Sequence, residues 1–180
     1  MRQLVTIILT AALLSGCTLN APKYTPTVAS IQSIKASGAA PLKVSKVGVA
    51  SQNVNKISLR GSSLNSPYGD YNGYLEQALK DELTAAGILD ENSTTIIGAV
   101  LTQNRMNAAM STGDGGIAAI FTVSKAGSEV FNKEVSASVT WESSFVGAIA
   151  IPNAINSYPE LVSALITNLF NDTDFLSAIK

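Results

Sequence analysis

Apolar residues recur at helical spacing between Asp70 and Ala86. They fall three and four positions apart, as on the buried face of an amphipathic helix. Gly87 follows at the position where a helix takes a left-handed C-terminal cap. The charged positions of this helix that we expect to face solvent are Glu76, Lys80, Asp81 and Glu82.

A second helix is predicted to begin at Ser157. Ser157 and Glu160 stand three residues apart, which is the spacing of a capping box, and Pro159 suits the first turn of a helix. The apolar positions that follow form one stripe: Val162, Leu165, Ile166, Leu169 and Phe170. This pattern indicates a helix with one buried face.

Four segments have the pattern of strands. Residues 44–49 are short and rich in valine, and residues 95–103 are apolar on both sides, as in a central strand. Residues 116–125 and 129–142 alternate apolar and polar positions, and the tight turn between them predicts a hairpin.

These elements predict one α+β domain over residues 43–180. Its expected architecture is a mostly antiparallel sheet of about four strands with two amphipathic helices on one face. No internal repeat stands out in the sequence.

The first residues have the pattern of an export signal. Arg2 precedes an apolar run, which ends in Leu14-Ser15-Gly16-Cys17. The run is shorter than the roughly 20 apolar residues that cross a bilayer. We expect residues 1–16 to be removed as a lipoprotein signal peptide and Cys17 to be acylated. A plain secretory signal with an incidental cysteine is the alternative.

Residues 17–42 are rich in Pro, Ser, Thr and Ala. They predict a lipidated N-terminus and a flexible tether with an end-to-end distance of roughly 25–30 Å. Two or more acyl chains hold a protein durably on a membrane. Thr18, and not Asp, follows the cysteine, so by resemblance to Gram-negative lipoprotein sorting we expect the periplasmic face of the outer membrane.

The composition narrows the classes of function. The chain has 12 Lys and Arg against 13 Asp and Glu, so it offers no strongly basic surface for nucleic acid. It contains no histidine, which excludes Ser-His-Asp and Cys-His nucleophile arrangements and removes the commonest transition-metal ligand. We therefore expect no cofactor, no metal and no nucleic-acid partner.

An envelope enzyme acting on a lipid or glycan stays an alternative. Asp70, Asp114 and Glu142 stand near the ends of predicted elements, and a glycosidase would need two carboxylates about 5–9 Å apart. The glycine-rich residues 113–116 lack the lysine and the helix of a phosphate-binding loop. They are therefore expected to form a flexible connection between strands.

Residues 143–152 are apolar where a polar loop would be ordinary. The segment is either buried against the helices or presented as a contact surface. As a contact surface for a partner it would offer Phe145, Val146, Ile149 and Ile151. Arg60 and Arg105 are expected at solvated strand ends, with a contact to a partner or an anionic headgroup as the alternative.

Four stretches of this sequence resemble a family of small Gram-negative lipoproteins. They are Ile57–Ser63, Ser111–Gly115, Trp141–Pro152 and Asp172–Phe175. Members often carry the label UDP-N-acetylglucosamine acyltransferase. The resemblance spans nearly the whole mature chain and implies an envelope lipoprotein, but it carries over no catalytic residue.

The acyltransferase label disagrees with the sequence. The sugar-nucleotide acyltransferases of lipid A synthesis resemble left-handed β-helices of hexapeptide repeats, use a histidine base and work in the cytoplasm. This chain has no hexapeptide repeat, no histidine and an export signal.

We therefore expect a non-enzymatic binding or accessory module for an envelope complex. Its expected partners are membrane lipid, through acylated Cys17, and an envelope protein. The envelope enzyme and a purely structural envelope component are the alternatives.

Overall fold

The computed structural model describes residues 19–180. The predicted signal peptide, residues 1–16, and the predicted acylation site at Cys17 lie outside the described residues. The elements follow one another in this order: β1 (Leu19–Asn20), α1 (Val28–Ser37), β2 (Lys43–Val44), β3 (Gly48–Val49), a 3-10 helix (Gln52–Asn55), β4 (Ile57–Leu59), β5 (Ser62–Asn65), α2 (Tyr71–Ala86), β6 (Thr95–Asn107), β7 (Thr112–Lys125), β8 (Ser128–Glu142), α3 (Gly147–Phe170) and α4 (Thr173–Ala178).

The larger sheet confirms the α+β class with mainly antiparallel strands. Its order is β2-β6-β7-β8, and β3 also pairs with β6. β6, β7 and β8 are antiparallel, whereas the short β2 and β3 run parallel to β6. The sheet thus has five strands where about four were expected. β1, β5 and β4 form a second, smaller sheet.

Both two-residue hairpin turns have positive φ at each position. Ala126 and Gly127 join β7 to β8 with φ of 49° and 85°, and Arg60 and Gly61 join β4 to β5 with φ of 51° and 86°. This is the backbone geometry of a type I′ turn, whose twist matches that of the flanking strands. The hairpin predicted for residues 116–142 is confirmed, and β7 begins earlier than predicted, at Thr112.

Helix α2 is capped at both ends, and its C-terminal cap at Gly87 is the one that the sequence predicts. The Asp70 side chain accepts a 2.8 Å hydrogen bond from the backbone N–H of Gly73 at the N-terminus. Gly87 has φ of 79° at the C-terminus, and its N–H bonds to the last carbonyls of the helix. The apolar face of α2 is buried, so this helix carries one side of the core.

Helix α3 begins at Gly147, which corrects the predicted start at Ser157. It runs for 24 residues and contains Pro152 and Pro159, although an interior proline removes a backbone hydrogen bond. The Ser157 hydroxyl donates to the carbonyl of Asn153 and forms no capping box. Burial of the apolar face against the sheet stabilises the helix, so that it continues past both prolines. The buried positions on that face include Ala150, Ala154, Tyr158, Leu161 and Leu165.

The flexible tether expected at residues 17–42 is corrected for residues 19–42, which belong to the folded domain. β1 pairs with β5, and α1 packs against α2 and α3. Ile34 and Leu42 are among the fully buried side chains. The domain therefore begins by Leu19 and not at residue 43. Apolar residues spaced through a proline-rich segment provide enough buried surface to hold it in place.

The helical position of Glu82 predicts that it faces solvent, but the structure shows that it does not. It is fully buried beneath the N-terminal segment. The Tyr24 hydroxyl donates to Glu82 Oε1 at 2.6 Å, and the backbone N–H of Thr27 donates to the same oxygen at 3.1 Å. Burial raises the pKa of Glu82, and these hydrogen bonds offset only part of that rise.

The glycine-rich residues 113–116 lie inside β7 and do not form the flexible connection expected from the sequence. The Trp141 ring lies over Gly113, where any Cβ would collide with it. A Cβ on Gly115 would stand 2.8 Å from Met106 Sδ. Because Gly113 and Gly115 have no side chain, they leave the space that Trp141 and Met106 fill. Across residues 19–180, no helix has the length and apolar character needed to cross a membrane.

Candidate functional site

Arg60 organises one end of the molecule. It occupies the β4–β5 turn with φ of 51°, in the left-handed region that costs a non-glycine residue roughly 1–2 kcal/mol. Its side chain leaves the turn and reaches the connections that join β6 to β7 and β8 to α3. The residue thus links three loops that are far apart in the sequence.

Four hydrogen bonds make this link, and all of them end on backbone carbonyls. Arg60 Nε donates to Ala108 O at 2.9 Å, and Nη1 donates to Phe145 O at 2.9 Å. Nη2 donates to Ala109 O at 3.1 Å and to Ser144 O at 2.5 Å. A planar guanidinium suits this task because its five N–H donors have a fixed geometry.

Four exposed apolar side chains stand on the two connections and on the first turn of α3. We call this group the apolar tip: Met110, Phe145, Val146 and Ile149, which are 69%, 76%, 52% and 52% exposed. A 3.0 Å hydrogen bond from Ser143 N to Ser111 O joins the two connections directly. The tip therefore stands on a backbone that is bonded in place.

Three of the four residues predicted as a contact surface belong to this tip. Phe145, Val146 and Ile149 are exposed, and Ile151 is half-buried. Ala150, between Ile149 and Ile151, lies on the buried face of α3. The contact role of these residues stays a prediction, since their exposure alone does not identify what they touch.

The chain enters the domain at the same end. β1 runs parallel to β5, with Leu19 opposite Leu64. β5 begins at Ser62, directly after the turn that contains Arg60. The N-terminal end of β1, at Leu19, therefore points to the side of that turn. In the sequence, Thr18 is the one residue between Leu19 and Cys17.

Two of the three carboxylates considered for catalysis, Asp70 and Asp114, have structural roles. Asp70 caps α2, and Glu142 lies exposed at the end of β8. Asp114 lies within β7 and forms an ion pair with Arg105 and a 3.0 Å hydrogen bond with Asn107. These two bonds lower the pKa of Asp114, so its carboxylate is held in the charged form.

The described residues offer no metal site, and a groove lies beside α3. Between Leu19 and Lys180, no three His, Cys, Asp or Glu side chains gather closely enough to hold a metal ion. A groove of about 460 Å³ runs between the N-terminal segment and α3. Lys23 and Glu160 give its lining one charge of each sign, and hydroxyl side chains complete much of its polar wall. The groove therefore has no evident preference for an anion or a cation.

Sequence reasoning missed two parts of this site. Arg60 was expected at a solvated strand end, and Met110 was not predicted as part of a contact surface. The Arg-Gly pair between two short segments of alternating polar and apolar residues was the available signal, because a two-residue hairpin turn favours glycine at such a position. The partners of the Arg60 side chain lie about 50 and 85 residues away in the sequence, beyond the reach of any local pattern.

Comparisons with known proteins bear on the fold. No protein-family model matches the sequence, and no curated protein matches it at a significant level. The fold is similar to that of a protein from Xanthomonas campestris described by the family model DUF330, with a TM-score of 0.63 and 12% identity, over 89% of this chain and 96% of that one. A minor lipoprotein from Acinetobacter baumannii matches with a TM-score of 0.44 and 12% identity, over 74% of this chain and 90% of that one. The chain therefore shares its fold with the Xanthomonas protein.

Proposed function

We propose that this protein is a lipid-anchored, non-enzymatic binding or accessory module of an envelope complex. Acyl chains on Cys17 hold it at the periplasmic face of the outer membrane. Phe145, Val146 and Ile149, with Ile151 at their edge, form the surface through which it contacts another envelope component. The protein partner of this module in the complex is another envelope protein.

One observation carries this proposal: the apolar tip stands exposed on a fixed backbone at the end where the chain enters the domain. Single exposed apolar residues are ordinary on protein surfaces. Here four of them come from two connections and the first turn of α3, and Arg60 bonds both connections to a third loop. Grouped exposed apolar side chains mark contact surfaces, and a fixed backbone lowers the entropy lost on contact.

The chemistry of the chain favours binding over catalysis. The sequence has no histidine, and the carboxylates at Asp70 and Asp114 are engaged in a helix cap and an ion pair. The exposed Phe145 and the neighbouring Arg60 are residue types that are enriched in the cores of protein interfaces.

Cross-linking in intact cells tests the contact surface. A photoreactive residue replaces Ile149 in the full chain, and a matched variant carries it at Val130, another exposed aliphatic position. We expect a defined adduct from position 149, absent from position 130, and mass spectrometry identifies it. A folded, membrane-bound protein without any adduct at position 149 would contradict the proposal.

Mass spectrometry of the mature protein tests the anchor separately. We expect the first residue to be Cys17, carrying acyl chains. The variant Cys17→Ser is expected to leave the membrane fraction and to fold normally. An unmodified Cys17 on a membrane-bound protein would contradict this part of the proposal.

A further inference from the structure

We propose that the apolar tip inserts into the same lipid leaflet that holds the acyl chains of Cys17. The domain then lies directly on the membrane with the Arg60 end facing the lipid. This inference rests on the proposed acylation of Cys17 and names the component that the tip contacts.

The length of chain between the anchor and the fold carries the first step. Residues 19–42 pack into the domain and offer no tether. Two Cα-to-Cα steps join Cys17 to Leu19, so an acylated Cys17 stands at most about 7.6 Å from β1. An anchor this close holds the domain at the lipid surface.

The direction of β1 carries the second step. Because β1 runs parallel to β5, the N-terminal end of β1 points to the side of the Arg60–Gly61 turn. Arg60 is bonded to the carbonyl of Phe145, in the apolar tip, and to that of Ala109, which directly precedes Met110. The end of the domain nearest the anchor is therefore the end that carries the tip.

The chemistry of the tip carries the third step. Its side chains are aliphatic, aromatic or thioether groups, which enter the boundary between headgroups and acyl chains favourably. Arg60 adds a positive charge that, among residues 19–180, belongs to no salt bridge. A cation beside exposed apolar groups complements a leaflet that contains anionic headgroups.

The anchor and the tip reinforce each other. A small apolar patch binds a membrane only weakly, but an anchor on the same protein turns its insertion into an intramolecular step at high effective concentration. The main consequence is a fixed orientation: the β7–β8 turn points away from the membrane. Val130 lies near the start of β8, beside that turn. About 40 Å of strand separates it from Glu142, at the end of β8 that leads to the apolar tip.

Fluorescent labels test this orientation. Cys17 is the only cysteine of the chain, and acylation consumes its thiol, so an introduced cysteine is unique. The acylated variants Phe145→Cys, Ile149→Cys and Val130→Cys each carry a nitrobenzoxadiazole label. They are reconstituted into vesicles of phosphatidylethanolamine with a minor share of phosphatidylglycerol, and nitroxide lipids serve as quenchers.

We expect blue-shifted emission and strong quenching from positions 145 and 149, and water-like emission from position 130. Water-like emission from all three positions, on protein that floats with the vesicles, would overturn the lipid contact and leave the anchor intact. Protein that fails to float would instead refute the anchor. A defined protein adduct from position 149 in cells, in place of lipid, would also overturn the inference while it supports the proposed function.

A non-acylated pair of variants measures the contribution of the tip. In the mature Cys17→Ser chain, Phe145→Asp with Ile149→Asp is expected to lower the vesicle partition coefficient about tenfold or more, because it replaces inserted apolar groups by charges. Val130→Asp is the matched control and should leave partition unchanged. Equal partition of the two variants, with equal melting temperatures, would contradict insertion of the tip.

Discussion

Arg60 Nη1 donates a 2.9 Å hydrogen bond to the backbone carbonyl of Phe145, 85 residues further along the chain. The bond joins the turn of the smaller sheet to the connection that leads into α3. Phe145 is the most exposed of the large apolar side chains in the described residues, and its backbone is fixed by this bond. An exposed apolar side chain is thus held in place by a hydrogen bond to its own backbone.

Loss of the Arg60 side chain is expected to loosen this end of the molecule. Arg60→Ala removes four hydrogen bonds from carbonyls, and we expect a loss of about 1–3 kcal/mol in the free energy of unfolding. Hydrogen exchange should quicken in residues 108–111 and 143–146. Arg105→Ala, which removes an exposed ion pair, is the control, with an expected loss of at most about 1 kcal/mol. Equal losses from both variants would refute the role given to Arg60.

Gly115, inside β7, is expected to tolerate no side chain. Gly115→Ala would place Cβ 2.8 Å from Met106 Sδ and 3.1 Å from Leu161 Cδ2. Overpacking of this kind costs about 1–3 kcal/mol, measurable by chemical denaturation. Gly48→Ala is the control, because its nearest neighbour, Val100 Cγ2, stands at an ordinary 3.6 Å. A Gly115→Ala protein as stable as Gly48→Ala would show that the sheet and α3 are not packed as described.

The N-terminal segment is expected to contribute to stability. Ile34→Ala on α1 removes a buried side chain and should cost about 2–5 kcal/mol. Val28→Ala on the same helix alters a side chain that is 70% exposed and should change the unfolding free energy by less than about 0.5 kcal/mol. A flexible tether would make the two variants equal in thermal or chemical denaturation.

Glu82 is expected to give the protein a specific pH dependence. The unfolded chain loses the Glu82 proton at the ordinary pKa of 4.5, whereas the folded protein keeps it to higher pH because burial raises that pKa. The folded state thus binds more protons in this window, and its stability falls as the pH rises through it. Glu82→Gln should remove this contribution. We therefore expect the stability of the variant relative to the natural protein to increase from pH 4.5 towards neutrality.

Urea denaturation at a series of pH values measures this difference. Glu91→Gln, at an exposed position, serves as the matched control. A difference between the natural protein and Glu82→Gln that stays constant across the series would mean that Glu82 is not held in the environment described.

The sequence alone determined the elements whose signals lie within a few residues. Helix α2 has an apolar face at helical spacing and a glycine that can take φ of 79° at its end. The β7–β8 hairpin follows from alternation on both sides of a two-residue turn. The acylation signal predicted at Cys17 also rests on a local pattern, and it stays a prediction. These predictions depend on backbone geometry and periodicity, which neighbouring residues largely fix.

Only the tertiary structure decided how distant segments cover one another. Glu82 has the helical position of a solvent-facing residue, yet residues 24–30 bury it. Helix α3 continues through Pro152 and Pro159 because its apolar face packs on the sheet. The same packing buries Ala150 and leaves Phe145 and Ile149 exposed. A local sequence pattern shows that a residue is apolar, but whether it is buried depends on surface contributed by residues far away in the chain.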